Sequence, residues 1–101
     1  MESLQNFRAS DNDFTGEIPS DMGKMVKLEY LYLEGNDFDG PVPSALGELT
    51  KLKLLHLNDN NVSGVMPPEV CKLVDSFFLS DLKADCDGQF ADITCTCCSC
   101  N

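Results

Sequence analysis

The sequence has few basic residues. Of its 101 residues, 7 are lysine or arginine and 17 are aspartate or glutamate, which gives a formal net charge of −10. Binding to nucleic acid requires clustered lysine and arginine side chains, and so does binding to an anionic membrane surface. The composition therefore argues against both kinds of partner. The acidic residues are scattered, which is typical of a solvated surface, with a cationic partner or weak calcium binding as alternatives.

Long apolar stretches are also missing. No apolar run reaches about 18 residues, the length needed to span a bilayer, so we expect no membrane span in this chain. The first residues, MESLQNF, lack the apolar core of a secretory signal peptide. The length allows one domain at most. We expect the chain to be a mature piece, or a fragment, of an exported protein.

Cysteine is abundant for so short a chain, with six residues. Cys71 and Cys86 stand apart, and the other four crowd the C-terminus: Cys95, Cys97, Cys98 and Cys100. An even number of cysteines in a small domain is typical of disulfides formed in an oxidising compartment, so we predict an extracellular or secreted protein. Six cysteines allow 15 pairings, and the sequence does not choose among them beyond disfavouring a bond between adjacent Cys97 and Cys98. The alternative is a thiolate site for zinc or copper.

Three segments repeat one pattern at a fixed spacing of 24 residues: LQNFRASDNDFTGEIPSDMGKM, LEYLYLEGNDFDGPVPSALGEL and LKLLHLNDNNVSGVMPPEVCKL. A constant period of this size is typical of solenoids. One unit cannot bury its own apolar face, so neighbouring units must stack. We predict three repeats, at residues 4–27, 28–51 and 52–75, within a repeat region that spans residues 1–75.

Each repeated position has a physical reason. Alternation of apolar and polar residues around the leucines predicts half-buried strands that stack into a parallel sheet. Asn12, Asn36 and Asn60 follow these strands, and an amide that both donates and accepts can satisfy the backbone at each turn. Gly and Pro then permit unusual backbone geometry and start a new segment. A short helical turn follows, and we expect Ser20 and Ser44 to cap it.

The pattern LxxLxLxxNxFxGxIPxxLGxL over residues 4–73 resembles the plant-specific subtype of leucine-rich repeats. The resemblance implies an α/β solenoid, a right-handed horseshoe with a parallel concave sheet and short 3₁₀ segments on the convex side. It also implies a second, smaller sheet at the GxIP segment. Three positions depart from the pattern: Ala9 replaces a leucine, Met66 an isoleucine and Cys71 a glycine.

Residues 76–101 leave the repeat, and we predict that they form a cysteine-rich cap. The spacing of Leu79, Leu82 and Ala84 predicts one last strand. A bridged flap would cover the apolar edge of the final repeat. The segment resembles the cysteine-rich C-terminal ends of extracellular leucine-rich repeat proteins, including those of algae and diatoms. At the other end no capping segment is evident, so we expect further repeats or another chain at the N-terminal edge.

Side chains between the inward leucines point outward on the concave face, where we predict a binding site for a protein or an extended peptide. The predicted ligand-binding residues are Arg8, Tyr30, Tyr32, Glu34, Leu54, His56 and Asn58. Tyrosine offers a large contact area at low entropic cost and carries a polar hydroxyl. The alternative is that these aromatic residues only reflect their preference for strands.

No catalytic arrangement is evident, so we predict no enzyme, no cofactor and no metal. His56 is the only histidine, and no motif places a hydroxyl nucleophile beside it; its expected neighbours are Tyr32 and Asp59. A few aspartates lie near the turns, but their spacing matches no calcium loop: Asp11, Asp13, Asp37, Asp39 and Asp59. Asn61-Val62-Ser63 is an N-glycosylation sequon, so we predict a glycoprotein modified at Asn61.

Taken together, these features predict an extracellular, non-catalytic recognition module. Members of the resembled family serve as receptor ectodomains, as inhibitors of secreted hydrolases and as adhesion proteins. The alternative is a structural protein of a cell wall, sheath or filament that assembles through its uncapped N-terminal edge. A weaker third hypothesis is binding to ice or a mineral by the regular repeats.

Overall fold

Each repeat forms one turn of a solenoid, called a rung, in the computed structural model, which describes residues 4–86 and 93–100. The strands, in chain order, are β1 (Asn6–Arg8), β2 (Thr15–Glu17), β3 (Tyr30–Tyr32), β4 (Asp37–Pro41), β5 (Leu54–His56), β6 (Asn61–Val65), β7 (Asp81–Ala84), β8 (Ile93–Thr94) and β9 (Ser99–Cys100). They form a larger sheet in the order β1-β3-β5-β7-β9 and a smaller sheet in the order β2-β4-β6-β8. All pairs are parallel, which confirms the predicted solenoid.

The larger sheet holds the apolar side of the strands in register. Phe7 pairs with Leu31, Leu31 with Leu55, and Leu55 with Leu82. Leu31 and Leu55 have no exposed surface, because alternate side chains of a strand point to opposite faces and these point to the core. The strand at Asp81–Ala84 confirms the last strand expected from the leucine spacing in the cap.

The smaller sheet forms at the GxIP segments, as the resemblance implied. Gly16, Gly40 and Gly64 lie in its first three strands and have φ angles of 82°, 71° and 85°. Residues other than glycine rarely adopt such positive φ angles. The glycine of each repeat is therefore required by the backbone.

The convex side carries two 3₁₀ segments, Ser20–Lys24 and Ser44–Glu48, which confirms the predicted short helical turns. The expected capping by the first serine of each segment is wrong. The N-caps are Pro19 and Pro43, and neither segment has a side-chain capping bond. The proline carbonyls instead close each turn by accepting the backbone N–H three residues on, at 3.2 Å in both segments.

The third convex segment is a nine-residue α-helix, α1 (Pro68–Ser76), rather than a 3₁₀ turn. Val70 and Leu73 are buried on its inner side, and the helix packs against the segment Ser44–Glu48. No further convex segment stacks on the outer side of α1 within the described residues. The last segment therefore has room to lengthen into an amphipathic helix.

The third repeat has a cysteine where the first two have glycine, and the absence of a further convex segment beyond α1 in the described residues explains this change. A Cβ on Gly47 would lie 2.6 Å from Glu69 Cβ, and a Cβ on Gly23 would lie 2.8 Å from the carbonyl carbon of Ala45. In both cases the next rung occupies the space. Cys71 stands at the equivalent place on α1, where its side chain is free to reach the cap.

An asparagine ladder joins the rungs, as predicted. Asn36 Nδ2 donates to the carbonyls of Ala9 at 2.7 Å and Leu33 at 3.0 Å, and Asn36 Oδ1 accepts from Phe14 N at 3.3 Å. Asn60 makes the equivalent bonds one rung further on. Each of these amides therefore bridges two rungs, and Asn36 is almost completely buried.

Three disulfides hold the cap: Cys71–Cys97, Cys86–Cys100 and Cys95–Cys98. The first links helix α1 to the tail and joins cysteines 26 residues apart in the sequence. The second and third join cysteines that are 14 and 3 residues apart. The neighbouring cysteines 97 and 98 indeed pair with other partners. The boundary between a repeat region ending at residue 75 and a cap beginning at residue 76 stays a prediction.

The N-terminal edge is less well packed. Leu4 and Phe7 are only partly buried, and Phe14 is 50% exposed. A cavity of about 270 Å³ opens beside Ala9 and is lined by apolar side chains that include Phe7, Met22 and Phe14. Ala9 is too small to fill the space that a leucine occupies in the next two rungs.

Candidate functional site

Outward side chains of the larger sheet stack into rows that cross the rungs. The first row comprises Asn6, Tyr30, Leu54 and Asp81. The second row comprises Arg8, Tyr32, His56 and Lys83. The third row lies just beyond the strands, where backbone bonds continue the pairing, and comprises Ser10, Glu34 and Asn58. The seven residues predicted to bind ligand therefore share one face, and their role in binding stays a prediction.

Three side chains of the second row and Asp81 of the first row form a continuous series of contacts. Arg8 Cζ lies 4.3 Å from the centre of the Tyr32 ring, in cation–π geometry. The rings of Tyr32 and His56 meet edge to face with centroids 5.5 Å apart. His56 Nε2 lies 3.0 Å from Asp81 Oδ2. Four side chains from four strands are thus in contact with one another along the face.

The partner of His56 is Asp81 and not Asp59, so that detail of the sequence analysis is wrong. Strand β7 pairs with β5 such that Leu54 lies beside Asp81, and the carboxylate then reaches the imidazole from the neighbouring row. Asp59 lies in the turn, where its φ of 57° turns the chain away from the strand. The His56 side chain is 13% exposed and that of Asp81 is 40% exposed.

Sequence reasoning also missed Asp81 and Lys83 as members of the face. The signal was available in the spacing of Leu79, Leu82 and Ala84. If those three point inward, the residues between them, 81 and 83, must point outward beside Leu54 and His56. The cap therefore contributes to the candidate site as well as closing the core.

The third row contains two polar atoms without partners. Glu34 Oε1 and Asn58 Oδ1 are shielded from solvent, and neither has a hydrogen-bond partner among the described residues. Asn58 Nδ2 lies 3.4 Å from Asp59 Oδ2. By contrast, the two carboxylate oxygens of Asp85 in the cap accept from the backbone N–H groups of Asp59 and Asn60, at 3.0 and 3.1 Å.

The family model for the leucine-rich repeat matches residues 3–25, 27–49 and 51–73, more than half of the chain. The chain belongs to the leucine-rich repeat family. No curated protein sequence matches it.

Several solved leucine-rich repeat structures from plants resemble this one. A chain of the BIR3–SERK2 complex from Arabidopsis thaliana has a TM-score of 0.76 and 29% identity, with 93% of this chain and 56% of that chain covered. A chain of the PEPR1–AtPEP1 structure has a TM-score of 0.69 and 36% identity, with coverages of 71% and 10%. A plant ice-binding protein shares the fold, with a TM-score of 0.70, 22% identity and coverages of 91% and 35%. This leucine-rich repeat chain thus spans about half, or less, of the length of these relatives.

Two other predicted sites lie away from the three rows. Asn61, at the start of β6 in the smaller sheet, is exposed, and a glycan on it stays a prediction. The sulfur atoms of Cys71, Cys95 and Cys97 lie within 4.8 Å of one another but belong to disulfides. In residues 4–86 and 93–100, no other group of three carboxylate, histidine or cysteine side chains is close enough to hold a metal.

Every helix in the described part of the chain is too short or too polar to cross a lipid bilayer. This leucine-rich repeat chain and its plant relatives share strands, turns and convex segments. Outward positions such as Tyr30 and Tyr32 are free of the packing constraints that fix the leucines.

Proposed function

We propose that this chain is an extracellular, non-catalytic recognition module that binds a protein or an extended peptide on its concave face. The observation that carries the proposal is the patch of Tyr30, Tyr32 and Leu54 on the larger sheet. The strands beneath the patch, β3 and β5, are paired with a neighbouring strand on both sides, and the patch combines apolar area with hydroxyl groups. Tyrosines in such surroundings are frequent energetic centres of protein interfaces.

Two further observations support the partner class and the location. Several of the similar structures are described as plant receptors or receptor ectodomains, and one is described as PEPR1 with AtPEP1. Three disulfides within the last 31 residues support folding in an oxidising compartment. In the proposal, Asn61 carries a glycan on the smaller sheet, outside the three rows of the concave face.

Selection of random displayed peptides on the disulfide-bonded chain tests this function. We expect selected peptides to lose about tenfold or more in affinity with Tyr30→Ala or Tyr32→Ala, as for aromatic residues at an interface centre. Phe78→Ala is the matched control, because Phe78 is 68% exposed and lies outside the three rows. Peptides that bind both tyrosine variants as tightly as the parent chain would contradict the proposal.

The second candidate function is assembly through the N-terminal edge, supported by the cavity beside Ala9 and the exposed Phe14. In that case the chain joins further repeats or another chain and serves a structural role in a wall, sheath or filament. Sedimentation over a range of concentrations separates the two functions. Growth with concentration that Phe14→Ser abolishes supports assembly, and a monomer at all concentrations opposes it.

A further inference from the structure

The two unpartnered oxygens of the third row are costly to the folded chain. Burial of a hydrogen-bond acceptor without a donor loses the hydration that the acceptor had in the unfolded chain. Glu34 Oε1 and Asn58 Oδ1 both bear this cost. They lie on adjacent rungs, since Gly35 N donates to the Asn58 carbonyl at 3.2 Å, and adjacent rungs are about 4.8 Å apart.

Three of the neighbouring donor side chains contact other groups of the chain. The Arg8 guanidinium lies over Tyr32, and His56 Nε2 lies against Asp81. The Asn58 amide nitrogen faces Asp59. Within the described residues, no side-chain donor, including those of the second row, lies within hydrogen-bond distance of either oxygen. Both oxygens are therefore available to a donor that a ligand brings.

The surroundings favour a donor with positive charge. A carboxylate makes its strongest hydrogen bonds with ammonium and guanidinium groups. The chain carries a net charge of −10, and such a field attracts cationic ligands to the surface. Tyr32 lies one row away, so the aliphatic part of a long basic side chain can pack along its ring. The terminal torsions of Glu34 and Asn58 are soft, which allows both oxygens to turn toward an arriving group.

From these observations we propose that Glu34 and Asn58 form a subsite for a lysine or arginine side chain of a bound peptide. This inference rests on the proposed function, because the peptide that carries the basic side chain lies on the concave face. One or both oxygens accept from the cationic group, while Tyr30 and Tyr32 hold the neighbouring part of the peptide.

The first test uses peptides selected on the disulfide-bonded chain. Their lysines are replaced one at a time by norleucine, which lacks only the terminal ammonium group, and their arginines by citrulline, which has an oxygen in place of one guanidinium nitrogen. Both replacements remove the charge. We expect one replacement to lower the affinity about tenfold or more, and we expect Glu34→Gln to abolish that difference. Glu48→Gln is the matched control, because Glu48 is exposed on the convex side.

A second test does not depend on any peptide. Titration of the isotope-labelled chain with N-acetylarginine amide should shift the Asn58 side-chain amide signals saturably in an NMR spectrum. N-acetylnorleucine amide should not, and Glu34→Gln should weaken the response at least several-fold.

The outcomes separate the two proposals. If selected peptides require Tyr30 but tolerate every neutral replacement, the subsite is wrong and the recognition function stands. If selection yields no peptide for the concave face, the recognition function fails. In that case a flat titration with N-acetylarginine amide also overturns the subsite, whereas a saturable response at Asn58 supports it.

Discussion

The two ends of the solenoid are finished in different ways. At the C-terminal end, strands β7 and β9 extend the larger sheet, Asp85 accepts backbone hydrogen bonds from the last turn, and disulfides hold the tail. At the N-terminal edge, the first strand has no strand beyond it in the described residues, and a cavity opens beside Ala9.

The difference shows how much each rung depends on its neighbour. Phe14 and Phe38 occupy the same position in successive rungs, and their rings stack with centroids 6.2 Å apart. Phe14 is nevertheless 50% exposed and Phe38 only 7%. The same residue in the same local structure is therefore a surface or a core residue according to whether a rung lies above it, as expected for a one-dimensional array.

The largest loss of stability is expected when a leucine in an inner rung is replaced by alanine. Leu55→Ala removes a leucine with no exposed surface and should cost about 3–5 kcal/mol of unfolding free energy. Leu4→Ala at the partly buried N-terminal edge should cost about 1–2 kcal/mol, because less of its surface is removed from water. Urea unfolding with the disulfides intact measures both. Equal losses would contradict the dependence on neighbouring rungs.

Removal of a disulfide should give the next largest loss of stability, and the loss should be greater for the disulfide that closes the longer loop. Replacement of Cys71 and Cys97 by serine opens 26 residues and should cost about 3–4 kcal/mol, since the bond restricts the unfolded chain most when its loop is long. The same replacement at Cys95 and Cys98 opens 3 residues and should cost about 1–2 kcal/mol. Thermal unfolding of the two double variants decides the order. A larger loss for the second pair would show that the short bridge holds the cap.

The asparagine ladder offers a comparison between an interior and an edge residue. Asn36→Ala removes an amide that bonds to two rungs and is only 5% exposed, so it should cost about 2–3 kcal/mol. Asn12 bonds only within its own rung, to the carbonyls of Ala9 and Ser10, and its replacement by alanine should cost about 1 kcal/mol or less. Chemical denaturation checks the difference, and equal costs would refute a role for bonds between rungs.

Replacing an alanine by leucine should change the stability in opposite directions at the two ends of the chain, and Ala9→Leu should give the smallest change. Ala9 and Ala84 occupy the same repeat position, and Ala84 has no exposed surface. Ala9→Leu should stabilise the chain by about 1 kcal/mol, because it fills the cavity of the N-terminal edge. Ala84→Leu should destabilise it by about 1–3 kcal/mol, because the capped end has no space for the larger side chain. Melting temperatures of the two variants test this, and a gain at both positions would mean that the cap is loosely packed.

Most of the fold could be predicted because the spacing of 24 residues fixes which side chains share a row. Once the leucines are placed inward, Tyr30 must lie beside Leu54 and Tyr32 beside His56. The asparagine ladder followed in the same way from the chemistry of an amide at a turn. In each case one local rule, applied to three aligned segments, gave a contact between rungs.

The rest depended on parts of the chain that do not repeat. The disulfide pairing is set by how the tail folds back, which no spacing rule gives. Asp81 was missed as the partner of His56 because it lies in the cap, outside the three aligned segments. The expected capping by Ser20 and Ser44 failed because the preceding proline already closes the turn through its carbonyl. Helix α1 is longer than a 3₁₀ turn because no further convex segment stacks on it within the described residues.

Gly23 and Gly47 are replaced in the third repeat by Cys71, which links the repeats to the cap. Repeats with glycine at this position leave room for the convex segment of the next rung, whereas the repeat with cysteine forms the disulfide to the tail. The number of units and the closing of the coil are therefore encoded separately. Insertion of further 24-residue repeats between residues 27 and 28 would therefore enlarge the concave face and leave the disulfide-bonded cap unchanged.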